Sequence, residues 1–217
     1  MHFLLSTDAC AKRPRKHPLF FAVILAATIV AAQALDARAQ FYAKPITTPD
    51  LPYQMDGYSI SPPRGSGWFE MQRDRDFVYF GKRLNSPTHS FIAVAMSSPV
   101  GDAFDSVEKF RDHVIRKIAE NPDDHRNRVL LAEAEIEPMA GPFCARYHTK
   151  TEDRDATDVP GLILFAETFG VSCLHPERRD LAIDISYSER GLPAETGASL
   201  LNEGENFVRS LKFISQP

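Results

Sequence analysis

Leu181-Ala-Ile-Asp-Ile-Ser-Tyr-Ser188 decides the fold class. Leu181, Ile183, Ile185 and Tyr187 alternate with Ala182, Asp184, Ser186 and Ser188, the two-residue period of a strand with one buried face. Gly191-Leu-Pro193 breaks it. Upstream, residues 143–153 and 162–174 read as two strands of a hairpin around the polar loop Asp155–Gly161. The register that sets Glu152 opposite Phe165 also sets Cys144 directly opposite Cys173, close enough for a disulfide. Before that, Leu130, Ala132, Ala134 and Ile136 alternate with Leu131, Glu133, Glu135 and Glu137, a strand with one wet face.

The first half of the chain has the same character. Tyr58-Ser-Ile-Ser61 is a short strand ended by Pro62-Pro63, and Gly65-Ser-Gly67 is a turn. Trp68–Arg73 and Phe77–Arg83 flank Asp74-Arg75-Asp76 as a hairpin. Phe91-Ile-Ala-Val-Ala-Met96 is apolar throughout and reads as a central strand covered on both faces. At 106–120 the period changes: Val107, Phe110, Val114 and Ile118 form a helical stripe, with Asp105 or Ser106 as cap and Asn121-Pro122 as stop. A second helix is expected at about 197–211, burying Leu200, Leu201, Phe207, Val208 and Leu211, with Gly204 allowing close approach to a neighbour. Hairpin-linked strands with two helices predict an α+β fold: a mainly antiparallel sheet of about six to eight strands, arranged as an α/β/α sandwich.

The N-terminus carries a different message. Lys12-Arg-Pro-Arg-Lys16 precedes an uncharged apolar run, Pro18 to Leu35, and then Ala37-Arg38-Ala39. Basic, apolar, small-x-small is the order of a secretory signal, with cleavage expected after Ala39. An uncleaved anchor is the rival reading, and it also leaves the remainder outside the cytoplasm. Cys10 precedes the apolar run and cannot be a lipoprotein cysteine. The expected organisation is therefore a signal peptide at 1–39, an extended Pro-containing lead-in at 40–56 and one α+β domain at 57–217, periplasmic or secreted.

Removing 39 of the 217 residues leaves 178, enough for one domain with a real core. The signal takes five of 25 Lys/Arg and two of 29 Asp/Glu, leaving 20 against 27, a balance of −7. Such a domain gains nothing electrostatically from nucleic acid or anionic lipid. No nucleic-acid partner is expected, and no membrane contact after cleavage. Cys144 and Cys173 remain, an even count that suits a bridge in an oxidising compartment.

Tyr58-Ser-Ile-Ser-Pro-Pro-Arg-Gly-Ser-Gly-Trp68 resembles the opening of PsbP-like domains, and Gly204-Glu-Asn-Phe-Val-Arg-Ser-Leu-Lys-Phe213 resembles their last helix. The resemblance spans 57–213 in outline. It implies an α/β/α sandwich and a non-catalytic accessory or binding role outside the cytoplasm.

Motifs of known chemistry are absent. There is no H-E-x-x-H, no Walker loop, no G-x-G-x-x-G and no C-x-x-C. Gly65-Ser66-Gly67 lacks the first glycine of a nucleophile elbow. No cofactor or metal is expected. Trp68, Arg64 and His148 are the candidate ligand-facing residues: Trp68 either as a core anchor or as an aromatic beside the Gly65–Gly67 turn, Arg64 as a charge near it, and His148 on the strand face of Cys144. Arg178-Arg179 after Pro176 reads as a solvated turn, with an anion grip as the sharper alternative. Two functions follow. One is an exported accessory or binding protein whose partner is an envelope protein or a small ligand. The other is an exported hydrolase with a dispersed active site, a reading that gains if His148, His175 and a carboxylate converge in a cleft.

Overall fold

A computed structural model describes residues 43–84, 86–101, 104–120, 125–156, 159–196 and 201–215, all within the unit Tyr42–Pro217. The expected signal at 1–39, the helix stop Asn121-Pro122 and the start of the last helix, with Leu200, lie outside these residues, as does the Leu201 side chain.

The strands are β1 (Lys44–Pro45), β2 (Tyr53–Gln54), β3 (Tyr58–Ile60), β4 (Trp68–Arg73), β5 (Phe77–Arg83), β6 (Ser90–Pro99), β7 (Asn127–Ile136), β8 (Cys144–Asp153), β9 (Leu164–Leu174), β10 (Leu181–Gly191) and β11 (Lys212–Phe213). Helix α1 spans Val107–Ala119, between β6 and β7, and α2 spans Leu201–Val208, between β10 and β11. Eight strands form one sheet in the order β1-β4-β5-β6-β10-β9-β8-β7, and β11-β3-β2 form a second. Every pairing is antiparallel. The fold of the described residues is α+β, with two helices against a mainly antiparallel sheet.

The period-two strands sort their side chains onto two faces. On one face, Val78, Phe80, Ala93, Ala95, Ile183, Ile185, Tyr187, Val171 and the cystine pack with Phe207 of α2 and with Tyr58 and Ile60 of the small sheet. On the other, Ala145, Tyr147, Leu174 and Ala182 pack under Phe110 and Val114 of α1. Ser106 caps α1, its hydroxyl accepting from the Lys109 N–H, while Asp105 takes the Lys109 ammonium.

Beneath α1 a polar contact crosses three strands. Tyr147 of β8 lies over Gly170 of β9 and donates to Asp184 Oδ1 of β10 at 2.7 Å. A Cβ at Gly170 would meet the Tyr147 hydroxyl at 2.6 Å, so this path needs glycine. Burial pushes the Asp184 carboxyl up, opposed by the hydrogen bonds from Tyr147 and Ser172.

Cys144 and Cys173 are direct register partners and are bonded, with Cα atoms 4.1 Å apart. The same register sets Glu152 against Phe165.

Three readings are revised. Within the expected 40–56 lead-in, residues 43–56 are built into the fold: β1 pairs with β4, β2 pairs with β3, and Tyr53 packs on the core. Phe91–Met96 is not covered on both faces. Ile92 and Val94 are half-buried and Met96 is 38 % exposed, because α1 lies over β7 and β8 at the far end of that face. Leu130 does not join Ala132 and Ala134. The β7 register skips between Val129 and Leu131, leaving Leu130 as the extra residue of a bulge, 42 % exposed.

Candidate functional site: a groove beside the second helix

Helix α2 packs along β10. The outer strands β9, β8 and β7 run past it, and their faces on that side form the floor of a groove of about 470 Å3. Its floor is one row of register partners, Glu133 (β7), His148 (β8), Phe169 (β9) and Tyr187 (β10). Val171 and Arg146 lie one step along, and Glu205, Val208 and Arg209 of the α2 segment form the wall.

The row is a stack of rings. His148 lies parallel to Phe169 with centroids 4.2 Å apart, and Phe169 continues to Tyr187 at 5.6 Å. Cross-strand aromatic neighbours of this kind stiffen a sheet face and present their edges to whatever lies above. His148 is also held from both sides, Nδ1 3.1 Å from Glu133 Oε1 and Nε2 2.8 Å from Glu167 Oε1. Burial, with Glu205 and Glu167 nearby, pushes the Tyr187 hydroxyl well up, so it stays neutral.

Among the candidates read from sequence, His148 lies in the groove, and Glu133 and Glu135 of the wet β7 face form its outer edge. Trp68 lies in the core. It is 3 % exposed, and its Nε1 donates to Glu203 Oε2 at 2.8 Å. Lys82 donates to the same carboxylate at 2.7 Å, fastening α2 to β4 and β5. Arg64 stands apart on the surface, paired with Asp50 at 3.1 Å. It lines a smaller pocket with Ser61 and Ser210. Ser66 is exposed in its turn.

His175 does not join His148. It is buried at the far end of β9, its Nδ1 accepting from the Glu177 and Arg178 N–H groups and its Nε2 facing the Ile214 carbonyl. The convergence of His148 and His175 expected of a hydrolase does not occur. The Arg178-Arg179 pair is already engaged, Arg178 with Asp56 at 2.9 Å and Arg179 over the Phe143 ring at 4.0 Å. Asp153 is also internal: hydrogen bonds from Arg126 first, and from Arg190, hold its carboxyl below the usual range. Asp158 lies outside the described residues.

Sequence reasoning missed Glu195. Its carboxylate accepts from Thr88 Oγ1, Ser86 Oγ and the Leu192 N–H, which together lower it from 4.5 to about 2. Nothing in the separate stretches 86–89 and 192–195 signals that pairing. No group of three or more potential metal ligands occurs among the described residues.

Comparison with known proteins adds little. No family model matches the chain, and no curated protein does. Among solved structures, the Ran-binding protein Mog1p of Saccharomyces cerevisiae is similar with a TM-score of 0.39 and 9 % identity, over 72 % of this chain and 90 % of that one. A mutant of Mog1 gives 0.40 and 9 %, over 75 % and 95 %. Likeness at that level carries no functional argument. These findings correct the PsbP-like resemblance read at Tyr58–Trp68 and Gly204–Phe213. Both stretches have local reasons of their own: the Gly-Ser-Gly turn sits over Glu203, and Gly204 sits against Tyr187.

Proposed function

We propose that this is an exported accessory or binding protein that works through the groove between α2 and β7–β9. The observation that carries the reading is the character of that groove: a ring-lined floor, charged margins, and a histidine whose two nitrogens both face carboxylates. Its size falls in the range of small-molecule sites, roughly 300–1,000 Å3. No Ser, Thr or Cys is among its lining residues.

Export is supported by the Lys12–Lys16, Pro18–Leu35 and Ala37–Ala39 series, and by a buried cystine that suits an oxidising compartment. Among the described residues no helix is long and apolar enough to cross a membrane. The acidic balance argues against nucleic acid as the partner.

The test is in-cell crosslinking of the C-terminally tagged chain, with a photo-reactive residue in place of Arg209 on the groove wall. Capture of one ligand or envelope protein, lost on deepening the change to Phe169→Ala, is expected. Uniform or absent capture would sink the reading. A second reading, an exported hydrolase, is favoured by the His148–Glu167 contact in a cleft. It requires His148→Gln to abolish an ester- or amide-cleaving activity that the intact protein displays.

A further inference from the structure

The groove's charges are not balanced among themselves. Its arginines are already engaged: Arg146 Nε donates to Glu137 at 2.8 Å and Arg209 meets Glu205 at 3.4 Å, while the His148 ring sits between Glu133 and Glu167. Glu135 is different. It lines the groove, is exposed, and has no ion-pair partner among the described residues. Arg146, its direct register partner on β8, turns away to Glu137.

The floor is complementary in another sense. Phe169, Val171, Tyr187 and Val208 give an apolar bed for part of a ligand. An anion here would compete with Glu137 for Arg146 or with Glu205 for Arg209, and would meet the like charges of Glu133, Glu135 and Glu205. One that carries a cation displaces nothing and meets Glu135.

Resting on the groove being the binding site, we propose that its ligand is a small organic cation, an ammonium group on an apolar body. The apolar part lies on the Phe169–Tyr187 floor and the ammonium stands against Glu135 at the β7 margin. The groove volume of about 470 Å3 fits one such molecule and is small for a protein segment.

The test uses protein purified from the extracytoplasmic fraction of cells expressing the whole chain. Calorimetric titration at low ionic strength compares phenylbutylamine, phenylbutanol and phenylbutyrate, three probes that share one apolar body. The amine is expected to bind about fivefold tighter than the alcohol, with the acid weakest. Glu135→Gln, a change at an exposed site, is expected to weaken the amine about threefold and leave the alcohol unchanged. Equal or tighter binding of the alcohol or the acid overturns the cationic class and leaves the groove as a binding site. Binding of none overturns both.

Discussion

Tyr187 and Gly204 meet ring to backbone: a Cβ at Gly204 would fall 2.3 Å from the Tyr187 ring. Strand β10 and helix α2 are thereby seated at a distance that no larger residue permits. Because Tyr187 also ends the ring row that begins at His148, the contact fixes one wall of the groove relative to its floor.

Gly204→Ala therefore runs against helix propensity. Alanine favours a helix interior by about 1 kcal/mol over glycine. Here the added methyl must displace Tyr187 or lift α2, an overpacking cost of about 1–3 kcal/mol. A net loss of stability in urea unfolding is expected. A gain would mean that the helix sits farther from β10 than described.

Glu203 joins three elements, taking hydrogen bonds from Trp68 and Lys82. The Lys82 side chain is only 9 % exposed, so Glu203→Gln leaves a largely buried ammonium without its counter-charge. A loss of about 2 kcal/mol is expected. The double variant with Lys82→Met should recover part of it in a double-mutant cycle, and strict additivity would deny the pairing.

The cystine closes a loop with a sequence separation of 29. Replacing Cys144 and Cys173 together by alanine is expected to cost about 3.5 kcal/mol in the chain-entropy account. The midpoint of chemical denaturation checks it against the untreated protein. The same shift should appear on reduction of the parent.

Glu195 gives a pH dependence with a definite sign. Its carboxyl is lowered from 4.5 to about 2 in the folded state, chiefly by the Thr88 hydroxyl, then by Leu192 N–H and Ser86. The folded state therefore binds fewer protons than the unfolded one in that interval. The stabilisation is present above about 4.5 and is lost as pH falls toward 2. Thermal unfolding from pH 5 to pH 2 should show a steeper acid decline for the parent than for Glu195→Gln. Parallel curves would refute the assignment.

Strand alternation made much of this fold legible. Leu181–Tyr187 and the 143–174 hairpin carry a clear period, and matching the two arms by register already sets Cys144 against Cys173. What alternation does not carry is where a helix lies on a sheet. The Phe91–Met96 run is apolar because one face enters the core, yet α1 covers β7 and β8 and leaves Met96 at the surface. The groove has the same origin. Glu133 and Glu135 read as solvated residues, and only the packing of α2 on β10 turns their strand into a margin. His148 was visible as a polar residue on the Cys144 face. Its two carboxylates were not, since Glu167 lies diagonal to it across β8 and β9, off the direct register. Trp68 was legible as a core anchor by composition, whereas its partner Glu203 comes from a helix 135 residues on.

The most direct test of the account is native mass spectrometry of the protein taken, without denaturation, from the extracytoplasmic fraction of cells making the whole chain. The account predicts a polypeptide beginning at Gln40, lighter by its two thiol hydrogens, and carrying a small adduct that the Glu135→Lys variant lacks. A full-length chain confined to the cytoplasm with both cysteines reduced, or a mature chain with no adduct under any gentle condition, would contradict it.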